Sequence, residues 1–244
     1  MSEKVAVISG GAGRIGFEIC RSFCESGMSL GVFDSTKAKA LETVRRLEKY
    51  TDRVLPVGCN VVDAEDVRSA MKKTADRFGG IDVVVSMQGW PPHKQDITDI
   101  TDEYWNGVLS SHLTGSFHML QQAIPYLEKS ATPRVIFLAS PGVFKGDWED
   151  GLAYSAAKGG IVSLTYSGAK MLAKKGITVN CIATGGIHNV YGPEKDLTPT
   201  AQITLDSRST LKNIRKAVSF LIDETGGAIT GKALIYNTGK INPA

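Results

Sequence analysis

Short apolar runs rich in valine and isoleucine recur along the whole chain, and almost every one is followed by a segment with helical spacing. Val5-Ala6-Val7-Ile8 leads into a helix-like stretch ending near residue 26, and Ser29-Leu30-Gly31-Val32-Phe33 leads into 37–50. The run 53–59 precedes a helical pattern over 64–78, and Ile81-Asp82-Val83-Val84-Val85 precedes a longer one over 101–128. The run 134–139 precedes 152–174, the run 177–182 precedes a loop and then 210–222, and 232–236 closes the series. Strands that are apolar throughout are buried on both faces, as in a parallel sheet. Strands alternating with helices wind such a sheet doubly. The expected fold is α/β, a doubly wound parallel sheet of about seven strands, in a single domain over residues 1–244. The longest loop-like stretch, 185–209, is rich in Gly, Pro and Thr, follows a strand and reads as a substrate lid.

The first strand is joined to the first helix by Ser9-Gly10-Gly11-Ala12-Gly13-Arg14-Ile15-Gly16. Glycine there allows a tight turn and lets a pyrophosphate approach backbone N–H groups at the helix N-terminus. At the head of a series of βα units this is a dinucleotide-binding, Rossmann-type signal. Gly10, Arg14, Ile15 and Gly16 are its candidate contacts. Asp34 ends the second strand. A carboxylate in that place accepts the adenosine ribose hydroxyls and repels a 2′-phosphate, which favours NAD over NADP. Asp before a helix is also a common cap.

The chemistry concentrates in Tyr154-Ser155-Ala156-Ala157-Lys158. Residues four apart share a helix face, so the phenol and the ammonium are expected to meet. An ammonium held nearby favours phenolate over phenol. Such a phenol can pass a proton to or from a carbonyl or alcohol oxygen near neutral pH. Ser140, at the end of the run 135–139, can hydrogen-bond the same oxygen. Tyr-x-x-x-Lys occurs at three other places, Tyr166/Lys170, Tyr191/Lys195 and Tyr236/Lys240. Pro193 argues against helix in the third of the four pairs, and the last reads as strand and turn. Tyr166/Lys170 lies too far along the helix, roughly 18 Å from the first pair. Only Tyr154/Lys158 stands at a helix start just after a strand, where open sheets place ligands.

Other features narrow the class. Lys and Arg number 28 against 25 Asp and Glu, with no dense basic run, so nucleic acid is not implied. No apolar stretch approaches the roughly 20 residues that span a bilayer. The N-terminus runs straight into a strand without a signal-peptide pattern, so a cytoplasmic protein is expected. Cys20, Cys24, Cys59 and Cys181 lack a completing Cys or His pair, so they read as buried free thiols and no metal site is expected.

Together these features resemble the short-chain dehydrogenase/reductase family, in its short single-domain branch, over nearly all the chain. The resemblance implies Tyr154 as acid/base, Ser140 as the group orienting the reacting oxygen, and Lys158 as holder of the nicotinamide ribose. It places Asn60 and Val61 at adenine, and Gly185 and Ile187 beside nicotinamide in Thr184-Gly185-Gly186-Ile187. Ile229-Thr230-Gly231 resembles the family's C-terminal signature. Departures are equally specific. Arg14 stands where the branch usually has its middle glycine. Ser86-Met87-Gln88-Gly89 replaces the usual Asn-Asn-Ala-Gly beside the cofactor, which makes Gln88 and Gly89 candidate contacts. Thr184 replaces the usual Pro, and His112 stands where a catalytic Asn anchors a relay water. His112 could take over that relay or simply fill space, since imidazole can both donate and accept.

Trp90 and His93, residues 145–150, and His188, Asn189 and Tyr191 are expected to meet above Tyr154. Their mix of aromatic faces and hydrogen-bonding groups suits a small polar substrate. The expected activity is interconversion of a secondary alcohol and a ketone. A cofactor-binding protein with little turnover and an NAD-using epimerase are the alternatives. The segments 101–128 and 152–174 carry apolar residues on more than one side, among them Phe117, Leu120, Leu164 and Met171, and a second apolar stripe can be buried by a symmetric partner. The resemblance also implies a homo-oligomer, a tetramer.

Overall fold

In the computed structural model, described for residues 4–90, 93, 95–146, 151–184 and 211–236, seven strands form one all-parallel sheet. They are β1 (Val5–Ser9), β2 (Ser29–Asp34), β3 (Val54–Gly58), β4 (Val83–Ser86), β5 (Arg134–Ala139), β6 (Thr178–Thr184) and β7 (Ala233–Tyr236). Their order is β3-β2-β1-β4-β5-β6-β7. The order reverses between β1 and β4, which opens a crevice at the carboxyl ends of those two strands. Ser9 and Ser86 are register partners at its floor.

The connecting helices are α1 (Arg14–Glu25), α2 (Lys37–Arg46), α3 (Ala64–Phe78), α4 (Asp102–Leu109), α5 (Gly115–Leu127), α6 (Gly142–Lys145), α7 (Leu152–Leu172) and α8 (Leu211–Ile222). Local chemistry sets several of their starts. The side chains of Thr36, Asp63 and Thr101 accept from backbone N–H groups in the first turns of α2, α3 and α4. Helix α3 stops at Gly79, whose φ of +90° is the left-handed conformation of a helix C-terminus.

The sheet is covered on both faces. One core layer joins Val7, Phe33, Val84 and Phe137 to Met71, Met119 and Ile161 of α3, α5 and α7. The other joins Ile8, Val32, Val85 and Ile182 to Ile19, Phe23 and Leu221 of α1 and α8. Every residue of β1 is buried, as a run without alternation predicts. Burial of each large side chain contributes roughly 1.5–3 kcal/mol.

Two helical expectations need amendment. Residues 101–128 are not one uniform α-helix: between α4 and α5 the backbone makes a π turn over Ser110–Thr114. That wider turn carries His112 inward. The segment 37–50 ends its α-helix at Arg46 and continues as a 3-10 turn over Glu48–Arg53. All four cysteines are free and buried, and burial pushes the thiols of Cys24 and Cys59 up to about 12.

Candidate active site

A cleft of about 750 Å³ runs along the carboxyl ends of β1, β2 and β4. Its one end is bounded by Asp34, Ser35 and Lys39, its middle by Gly10 and Gly13, and its far end by Gln88, Gly89 and Trp90. Asn60 and Val61 line it as well. Arg14, Ile15 and Gly16 stand on the first turn of α1, with Gly16 buried beneath the loop. A Cβ at Gly16 would come within 2.3 Å of the Gly10 carbonyl, so the helix can approach the loop only with glycine there. The α1 N-terminus begins at Gly13 without a side-chain cap and carries no acidic residue in its first turn. An uncapped helix N-terminus facing a cleft is suited to a phosphate.

Asp34 is a ligand of the loop as well as a wall of the cleft. Its Oδ2 accepts from the Ala12 N–H at 3.1 Å and its Oδ1 from the Ser35 N–H at 2.9 Å. The Lys39 ammonium donates to Ser35 Oγ at 3.1 Å. The Val61 carbonyl accepts from His118 Nδ1–H at 2.9 Å, which ties this rim to α5.

At the far end, α7 presents Tyr154 in its first turn and Lys158 one turn later. Lys158 is 2 % exposed. Its ammonium donates to the Leu138 carbonyl at 2.8 Å and lies 5.4 Å from the centre of the Tyr154 ring. Leu138 is two residues before Ser140, so the same bond anchors α7 to the strand end that carries Ser140. Ser140 is buried, and its hydroxyl accepts from the Gly142 N–H at 3.2 Å. The other pair on this helix differs in burial, because both Tyr166 and Lys170 are solvent-exposed. Tyr191 and Lys195, and Lys240 of the last pair, lie outside the described residues, as do Gly185, Ile187 and the lid segment.

His112 is buried beside this pair. Its ring meets the Tyr154 ring edge-on, with centres 5.1 Å apart and an interplanar angle of 88°. Its Nε2 lies 2.9 Å from the Trp90 carbonyl oxygen. A carbonyl only accepts, so Nε2 carries the proton. Burial, and secondly the Lys158 ammonium, hold the imidazole down to about 3. The ring is therefore neutral, and Nδ1 is a bare acceptor without a hydrogen-bond partner among the described residues. An imidazole so depressed does not titrate in the neutral range, so its ionisation is absent from a pH–rate profile there. Gly89 makes room for the ring. Its φ is +145°, and a Cβ there would lie 1.9 Å from His112 Cε1.

The apolar residues of the two long helices do lie on more than one side: Phe117 and Met171 are exposed, Met171 78 %. Leu120 is buried in the core and Leu164 is half-buried against it. Ser111 at the cleft and Ser116 beneath it escaped the sequence reading, as did the part that the Ser9 and Ser86 hydroxyls play there. A serine in a helical or strand pattern carries no signal until the π turn and the strand register bring these hydroxyls together.

The sequence matches the profile of a family described as "Enoyl-(Acyl carrier protein) reductase" over residues 10–240. The chain belongs to the short-chain dehydrogenase/reductase family. It is an NAD(P)-dependent oxidoreductase of that family, working by hydride transfer. It is 29% identical to 3-oxoacyl-[acyl-carrier-protein] reductase FabG of Staphylococcus aureus over 242 residues, 97% of each chain. It is also 29% identical to dehydrogenase/reductase SDR family member 4 of Mus musculus, over 98% of this chain and 88% of that one. Its fold is shared by the 3-ketoacyl-(acyl-carrier-protein) reductase of Brucella melitensis complexed with NADH, at a TM-score of 0.86, 23% identity and 98% coverage of both chains. Carveol dehydrogenase from Mycobacterium avium in complex with NAD superposes at 0.88, again with 23% identity and 98% coverage.

Proposed function

We propose that this protein interconverts a secondary alcohol and a ketone on a small polar substrate, with NAD as its preferred cofactor. The observation that carries the reading is the buried Lys158 ammonium, fixed by the Leu138 carbonyl one turn from Tyr154. Burying an ammonium is costly unless its charge is used. Here it stabilises negative charge on the Tyr154 oxygen as the phenol gives its proton to the substrate oxygen or takes it back. Ser140 steadies the same substrate oxygen.

The groups along the cleft suit the successive parts of a dinucleotide. The uncapped α1 N-terminus and Gly10 to Gly13 receive the pyrophosphate, Asp34 the adenosine ribose, and Gln88 and Gly89 the nicotinamide half, with Lys158 holding the nicotinamide ribose. Asn60 and Val61, which line the cleft, flank the adenine. The bound nicotinamide supplies or accepts the hydride. Asp34 leaves a 2′-phosphate facing a carboxylate, which disfavours NADP. Two relatives are named as reductases of a 3-oxoacyl group, which is the same ketone-to-alcohol change on a different carrier.

His112 serves this site through the Trp90 loop that it holds, and its bare Nδ1 accepts from a water or hydroxyl during turnover. Phe117 and Met171 on the outer faces of α5 and α7 are covered by further copies of the chain in a homotetramer. No helix among the described residues is long and apolar enough to cross a membrane, and the protein works in the cytoplasm. A screen of alcohols, polyols and ketones with NAD and NADP, read by nicotinamide absorbance, tests the reading. Turnover of a secondary alcohol or ketone with NAD supports it, and a screen without turnover despite cofactor binding would favour a binding protein.

A further inference from the structure

The crevice between β1 and β4 holds one polar side chain with hydroxyls on both sides of it. Gln88 Oε1 accepts from Ser9 Oγ and from Ser86 Oγ, the latter at 2.9 Å. These two serines are register partners on β1 and β4, at the point where the strand order reverses. The other end of the carboxamide faces the π turn. Nε2 lies 3.4 Å from the Ser111 carbonyl and 3.3 Å from Ser116 Oγ. A carbonyl only accepts, so the nitrogen must face Ser111 and the oxygen the serines. Ser116 Oγ donates in turn to the His112 carbonyl at 2.7 Å.

We infer that Gln88 is a positioning residue: its carboxamide ties the floor of the crevice to the π turn and so fixes the nicotinamide end of the cleft. Three observations agree. The two acceptor bonds of Oε1 come from strands that cannot move independently of the sheet. The bonds of Nε2 reach the helical turn that carries Ser111 and His112, whose regular i to i+4 pattern is broken there. The backbone of Gln88 also packs on the glycine loop, since a Cβ at Gly10 would stand 2.9 Å from Gln88 N. One side chain therefore joins β1, β4 and the π turn. Its neighbour Gly89 and then Trp90, whose carbonyl His112 holds, continue the same wall. The far end, at Asp34, shares none of these bonds.

This inference rests on the reading of the cleft as a dinucleotide site, and the test separates the two. NAD and ADP are titrated calorimetrically into the unmodified protein, Gln88→Met, Ser9→Ala and the double variant. ADP carries the adenosine and both phosphates but nothing beyond them. Gln88→Met keeps bulk and removes the hydrogen bonds. It should weaken NAD about tenfold, the scale of one or two neutral hydrogen bonds, and ADP less than about twofold. Ser9 is fully buried and does not line the cleft, so its effect must pass through Gln88. Ser9→Ala should shift the NAD-to-ADP ratio in the same direction, and the double variant should add little to Gln88→Met. Equal weakening of both ligands, no weakening, or full additivity would overturn the inference. If Gln88→Met does not fold, the ratio measured with Ser9→Ala decides alone. Failure of the unmodified protein to bind NAD would overturn the cofactor reading instead, and this inference with it.

Discussion

Lowering the pH should destabilise this protein through one imidazole. His112 is 3 % exposed and held down to about 3 in the fold, against an ordinary value of 6.5. Between those values the unfolded chain binds a proton that the folded chain refuses, so stability rises with pH across the window and is lost as pH falls through it. At about pH 7.5 the contribution is under roughly 0.1 kcal/mol, whereas at about pH 5 it reaches about 2 kcal/mol. Chemical denaturation of the unmodified protein and of His112→Asn at both pH values isolates the term, because every other titrating group is common to both. The unmodified protein should lose about 2 kcal/mol more than the variant over this interval. Parallel losses would mean that His112 takes up its proton in the fold at the ordinary value, and the neutral-ring geometry with Nε2–H on the Trp90 carbonyl would be refuted.

Gly89→Ala combines an unfavourable backbone conformation with displacement of the His112 ring, and should cost about 2–4 kcal/mol in denaturation experiments. The cost should shrink in a His112→Ala background, where the ring is gone. Asp34→Ser should weaken NAD and strengthen NADP in paired titrations, and NADP binding tighter than NAD in the unmodified protein would contradict the assignment of Asp34. Light scattering at micromolar concentration should give the mass of a tetramer, and a purely monomeric mass would rule out the covering of Phe117 and Met171 by further copies.

The sheet was legible because burial on both faces makes the strands largely apolar, and the alternation with helical spacing marked the rest: 64–78 and 134–139 coincide with α3 and β5 to the residue. The glycine loop and Asp34 were legible for a different reason, since close approach and terminal charge are properties of residue type at a fixed place. What stayed hidden was set by distances between elements far apart in sequence. A π turn differs from an α-helix by one extra residue in the ring, and nothing in Ser110 to Thr114 announces it. That turn is what brings His112 to the Trp90 carbonyl and Ser111 to Gln88. The outward face of the long helices was half legible. Phe117 and Met171 are exposed, whereas Leu120 on the same helix as Phe117 is buried and Leu164 is half-buried against the core. Among the four Tyr-x-x-x-Lys pairs, position after β5 selected Tyr154/Lys158, and the burial of Lys158 against the exposure of Tyr166 and Lys170 gives a physical ground for that choice.

The most direct test of the acid/base assignment is turnover of Tyr154→Phe, which keeps the ring and removes the hydroxyl, measured beside Tyr166→Phe on the best substrate from the alcohol and ketone screen. Turnover should fall at least ~100-fold in Tyr154→Phe, the scale of a general acid/base group, with NAD binding retained, and should stay nearly intact in Tyr166→Phe. Full activity in Tyr154→Phe, or the loss falling on Tyr166→Phe, would contradict it.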